Sequence, residues 1–128
     1  MNTIVVAPDA PAAIGPYSHA VIRNGILMAS GQIGQDPADG KLVAPDVAAQ
    51  TRQCLKNLEA VLRAAGGHWD NVVKVNIYLV DMDDFAAMNE EYKRWFPNGY
   101  PARCCVAVAG MAPGARVEID LMAVLDRN

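Results

Sequence analysis

The 128 residues, 52% of them hydrophobic, suffice for one domain with one real core, and the formal net charge of −3 argues against a protein built to neutralise phosphates along a nucleic acid. No apolar stretch approaches the ~20 residues that cross a bilayer, "MNTIVVAPDAP" has no basic leader region, and the three cysteines, Cys54, Cys104 and Cys105, have no framework spacing. Those exclusions leave the expectation of a cytoplasmic protein without membrane contact, whose apolar excess over so small a surface predicts buried subunit interfaces.

"TIVV" (3–6) reads as a short strand, and Pro8, Pro11, Gly15 and Pro16 mark a loop after it. From Tyr17 to Ser30 two apolar runs flank Asn24-Gly25, the pattern of a hairpin. Residues 31–45, rich in Gly, Pro and Asp without helical period, predict a surface loop. Asp46 then caps a helix in which Val47, Thr51, Cys54, Leu55, Leu58, Val61, Leu62 and Ala65 recur at three and four residues, and Gly66-Gly67 ends it. Arg52, Lys56, Glu59 and Arg63 form its solvated face. "NVVKVNIYLV" (71–80) predicts a strand, and "DMDDF" opens a second helix with Phe85, Met88, Tyr92, Trp95 and Phe96 on one side, stopped by Pro97. Two strands close the chain, "ARCCVAVA" and "ARVEIDLMAVL", with "GMAPG" as the turn between them. The order predicts a single α+β domain over 1–128, a mixed sheet with two helices packed on one face.

Alternation along a strand places Arg103, Cys105 and Ala107 on one face and Cys104, Val106 and Val108 on the other, which assigns Cys104 to the core. In the last strand Arg116, Glu118, Asp120 and Met122 oppose Val117, Ile119, Leu121 and Ala123. If the two strands pair across "GMAPG", Arg103 and Glu118 share a face. A guanidinium is costly to bury unless an anion meets it, so Arg103 either points into water or awaits a negative group. A surface salt bridge between Arg103 and Glu118 is the plain alternative, worth ~0–1 kcal/mol. A nucleophilic Cys105 would need a nearby base, and both histidines are remote in sequence: His68 in a loop, His19 at a surface or interface. No metal-ligand spacing, phosphate loop, dinucleotide fingerprint or nucleophile elbow is present, so neither metal nor cofactor is expected.

"AAIGPYSHAV" (12–21), "ASGQIGQDPADGKLV" (29–43), "QTRQCLKNLEAVLRAAGG" (50–67), "VVKVNIYLVDMDDFAAMNEEY" (72–92) and "FPNGYPARCCVAVAGMAPGARVEIDLMAV" (96–124) resemble, in order and spacing, the RidA family, also called the YjgF or L-PSP endoribonuclease family. The resemblance implies a chorismate-mutase-like fold, a homotrimer with clefts between subunits, and hydrolysis of reactive 2-imino acids, the enamine/imine products of pyridoxal-phosphate enzymes, to 2-keto acids and ammonia. It further implies that Arg103 grips the substrate carboxylate, Glu118 places and activates water, Cys105 meets the ligand through its backbone, and Tyr17, Ser30, Gly31 and Asn89 line the pocket. The chain departs from the common pattern at His19, Cys104, Ala107 and Gly110, which bears on substrate preference. Endoribonuclease or translation-inhibitor activity, and a non-catalytic ligand-binding or chaperone-like trimer, are the alternatives.

Overall fold

The computed structural model describes residues 1–126; Arg127 and Asn128, the end of the expected domain, lie outside the described residues. Strands β1 (Thr3–Val5), β2 (Ala20–Arg23) and β3 (Ile26–Ile33) precede helix α1 (Val47–Ala64). Strand β4 (Val72–Leu79), helix α2 (Phe85–Tyr92) and strands β5 (Ala102–Ala107) and β6 (Val117–Val124) follow. One six-stranded sheet results, in the order β1-β2-β3-β6-β4-β5. Every neighbouring pair is antiparallel except β4 and β5, which run parallel.

The expected α+β class holds, with both helices on one face. The reason is the period-two burial of the central strands: Leu27, Val75, Ile77, Leu79, Val117, Ile119 and Leu121 all turn inward. They meet Cys54, Leu55, Leu58, Val61 and Leu62 of α1 and Met88 and Tyr92 of α2 in one core. Each such leucine or isoleucine contributes roughly 1.5–3 kcal/mol by leaving water. Helix α1 begins where Asp46 accepts a hydrogen bond from the Ala49 amide at 3.0 Å and ends at Gly66, whose φ of +80° suits the missing Cβ. The expected solvated face of α1 is largely that, although Arg52 bonds Glu91 of α2 at 2.9 Å.

Gln50 ties three pieces of chain together. Its buried amide donates to the carbonyls of Ala44 and Gly114 and accepts from the Arg116 amide at 2.8 Å. That fixes the entry of β6, while the Arg116 guanidinium bonds Asp84, at the start of α2, at 2.7 Å. Among the described residues, no helix covers the opposite sheet face. Ile26, Met28, Val106 and Val124 stand exposed there, among Asn76, Tyr78, Glu118 and Asp120.

Several expectations are corrected. The second strand starts at Ala20 rather than Tyr17, and β3 continues through Gly31 to Ile33, into the expected loop. Strands β5 and β6 do not pair, because β4 lies between them. After β4 the chain crosses over through α2 and returns beside β4 in parallel; β6 then takes the remaining central place between β3 and β4. Arg103 and Glu118 therefore lie on opposite faces of the sheet. Cys104 is exposed on the uncovered face, and Cys105 instead packs against the core. His19 is buried, at 5% exposure, rather than at the surface.

Candidate functional site

On the helix-covered side, β5 enters the sheet with Arg103 beneath α2. The guanidinium carbon lies 4.8 Å from the ring centre of Tyr92 and 5.6 Å from that of Phe85, and Nη1 donates to Asn89 Oδ1 at 2.7 Å. Aromatic faces attract a cation without neutralising it. No carboxylate forms an ion pair with Arg103 among the described residues. A cavity of about 340 Å³ opens beside it, lined by Asn89, Tyr92, Lys93, Tyr100, Pro101 and Arg103. The Tyr92 hydroxyl, buried and without a hydrogen-bond partner among the described residues, has its ionisation pushed up to about 12, chiefly by burial and against the pull of Arg103. Cys105 sits on the same face two residues on. Burial raises its thiol above the usual value, although Arg103 opposes this, which disfavours the nucleophilic thiolate.

On the uncovered side, Glu118 lies opposite Tyr78 of β4 and Ile33 of β3. Its carboxylate rests over Gly31: a Cβ there would come within 2.9 Å of Glu118 Cδ, so any larger residue at this position would push the carboxylate aside. Tyr17, Gly31, Ile33, Ala112 and Glu118 line a second cavity of about 170 Å³. Burial first, and the charge of Asp120 second, raise the Glu118 carboxyl above its ordinary value. Asp120 is itself fixed by Asn76 at 2.8 Å and by the Tyr78 hydroxyl at 3.0 Å. Ser30 directs its hydroxyl away, donating to the Ser18 carbonyl at 2.6 Å.

The structure thus groups Arg103 and Asn89, with Cys105 beside them, and separately groups Tyr17, Gly31 and Glu118, with Ser30 as a brace. Sequence reasoning counted Tyr92 and Phe85 only as core and passed over the Asn76–Tyr78–Asp120 triad. The signal for the triad was the shared alternation of β4 and β6, usable only with their register.

Fold and site together define a helix-backed sheet protein with an arginine-lined cavity on one face and a glutamate-lined cavity on the other. The endoribonuclease L-PSP family profile matches residues 7–125. The chain belongs to this family, the RidA/YjgF group. It is 44% identical over 124 residues to human 2-iminobutanoate/2-iminopropanoate deaminase, covering 97% of this chain and 90% of the human one. YyfA of the conserved Rid protein family from Yersinia pestis superposes with a TM-score of 0.94 at 42% identity, over 98% of this chain and 100% of that one. TdcF from E. coli, solved with bound serine, gives 0.92 at 37% identity, over 97% of this chain and 99% of that one.

Proposed function

We propose that the protein is a hydrolytic deaminase that converts 2-imino acids to 2-keto acids and ammonia, in a homotrimer whose sites join the Arg103 face of one subunit to the Glu118 face of the next. The observation that carries this reading is a guanidinium held by Tyr92, Phe85 and Asn89 beside an open cavity, with no ion-pair partner among the described residues. The carboxylate of a 2-imino acid supplies the missing anion through two parallel charge-assisted bonds.

The chemistry then needs one proton carrier. A protonated imine carbon is electrophilic; water adds to it, Glu118 takes the water's proton, and the C=N bond becomes a C–N single bond. Glu118 returns that proton to nitrogen, giving the N-protonated carbinolamine; as its C–N bond breaks, the Glu118 carboxylate takes the hydroxyl proton so that the C=O bond forms, and the departing ammonia takes that proton up as ammonium. Burial and Asp120 raise the proton affinity of this carboxyl, which makes it a stronger base for the first transfer. The Cys105 thiol, its thiolate disfavoured by burial, takes no covalent part, and its strand position offers backbone contacts to the ligand. The human relative's deaminase name supports the substrate class. The net charge of −3 weighs against RNA as the substrate.

The test generates 2-iminopropionate and 2-iminobutyrate in situ with an amino-acid oxidase and traps surviving imine with semicarbazide. Catalytic amounts of wild type are expected to suppress semicarbazone formation, and Arg103→Ala is expected to lose at least about a hundredfold in kcat/KM while keeping its fold. Full activity in that variant removes Arg103 from the site; no activity in a folded wild type removes the imine reading.

A further inference from the structure

His19 lies just before β2, and both of its ring nitrogens are taken up by the N-terminal segment. Nδ1 accepts from the Ala7 amide at 2.9 Å, and Nε2 lies 2.7 Å from the Pro11 carbonyl. A backbone amide only donates and a carbonyl only accepts, so the two contacts fix one form of the ring: neutral, with its proton on Nε2.

The segment so held is a wall of the carboxylate cavity. Pro11, Ala12, Ile14 and Tyr17 line it together with Gly31 and Glu118. An Ala10-to-Ala7 backbone bond of 3.2 Å closes a turn between the two points where the ring attaches. At the far end Ser30 fastens residues 18 and 19, its hydroxyl bonding the Ser18 carbonyl and its amide the His19 carbonyl at 2.9 Å. Between those fixed points, the 12–17 stretch has one backbone hydrogen bond among the described residues, Tyr17 to Gly15, and it is exposed throughout. Its position is inherited from its ends.

We propose that His19 is a positioning residue of the Glu118 cavity: its imidazole staples residues 7 and 11 and thereby sets where Tyr17 stands over Gly31 and Glu118. For its activity arm this rests on the imine-hydrolase reading; its structural arm does not.

Hydrogen exchange read by mass spectrometry on the full chain, alongside imine-hydrolysis kinetics, tests it with two variants. His19→Leu fills the space without polar atoms, whereas His19→Gln restores one acceptor and one donor. In His19→Leu the hydrogen-bonded amides of Ala7, Ala10 and Tyr17 are expected to exchange at least about tenfold faster, with β3 and α1 unchanged, and kcat/KM to fall about tenfold. His19→Gln is expected to stay within about threefold of wild type in both readouts. Unchanged exchange at Ala7, Ala10 and Tyr17 in His19→Leu, or a folded His19→Gln no closer to wild type than His19→Leu, overturns the proposal. Should His19→Leu fail to fold, the imidazole ¹⁵N shifts of wild type decide. A bare Nδ1 with protonated Nε2 supports the staple; a proton on Nδ1 at neutral pH refutes it. If wild type hydrolyses no imine, the proposed function falls, and exchange and tautomer still judge the staple.

Discussion

At Arg103, two aromatic rings and one amide hold a guanidinium in place without neutralising it. The planar fork matters as much as the charge. Arg103→Lys keeps the charge but loses the paired bonds and the stacking, so kcat/KM for 2-iminopropionate is expected to fall at least about tenfold, chiefly through KM. Glu118 makes a prediction of opposite sign for stability. Its carboxyl is raised by burial and by Asp120, so the native state holds this proton more tightly than the unfolded chain. Stability therefore declines as pH rises from the ordinary carboxylate value through the raised native one. Glu118→Gln cannot ionise. It is expected to abolish imine hydrolysis, to be more stable than wild type toward urea at neutral pH, and to lose that advantage as the pH drops below the unfolded carboxylate value. Equal urea midpoints at every pH would contradict the assigned burial. At this scale the sequence pointed to Arg103 through chemistry, a guanidinium inside a β-prone run, whereas Glu118, one of two carboxylates alternating along its strand, was singled out by the family resemblance. It did not reveal what surrounds them, because Tyr92 and Phe85 meet the arginine from a helix whose docking is a tertiary fact.

Among the elements, the helices were the more legible. Asp46 and Gly66 bracket α1 as capping chemistry dictates, and its apolar stripe is the buried face. Strand pairing was not, because "GMAPG" has turn composition whichever strands it joins. The connection from β5 leads past β4 rather than back onto β5, and local residues carry no record of that. What fixes β6 is remote: Gln50, on the first turn of α1, bonds Gly114 and Arg116 across the strand's entry. Gln50→Leu keeps the volume and leaves three backbone groups short of their partners. A loss of about 3 kcal/mol is expected in urea unfolding at fixed protein concentration. Imine hydrolysis is expected to fall as well, since Glu118 is only two residues beyond Arg116.

For the whole molecule, the decisive feature is the sheet face that no helix covers. Ile26, Met28, Val106 and Val124 lie exposed on it beside polar side chains, and the high apolar content already hinted at such a surface. In the proposed trimer this face meets its neighbours, and light scattering is expected to give about three times the 13.7 kDa mass of the chain. Met28→Glu places a charge in that contact, away from both cavities. It is expected to shift light-scattering mass toward the monomer and to lower activity as the protein is diluted, with helix content unchanged. A fully trimeric Met28→Glu would move the interface elsewhere.

Because Arg103 and Glu118 stand on opposite faces of the same sheet, the proposed reaction centre is shared property, and its inheritance takes an unusual form. An allele that ruins the arginine side and one that ruins the glutamate side each encode half of a working centre. In a cell expressing both, random mixing restores about a quarter of the centres, each built from one intact half of either product. Two different alleles that damage the same side restore none. The lesions thus sort into two complementation groups within one gene, and the boundary between the groups is the sheet itself.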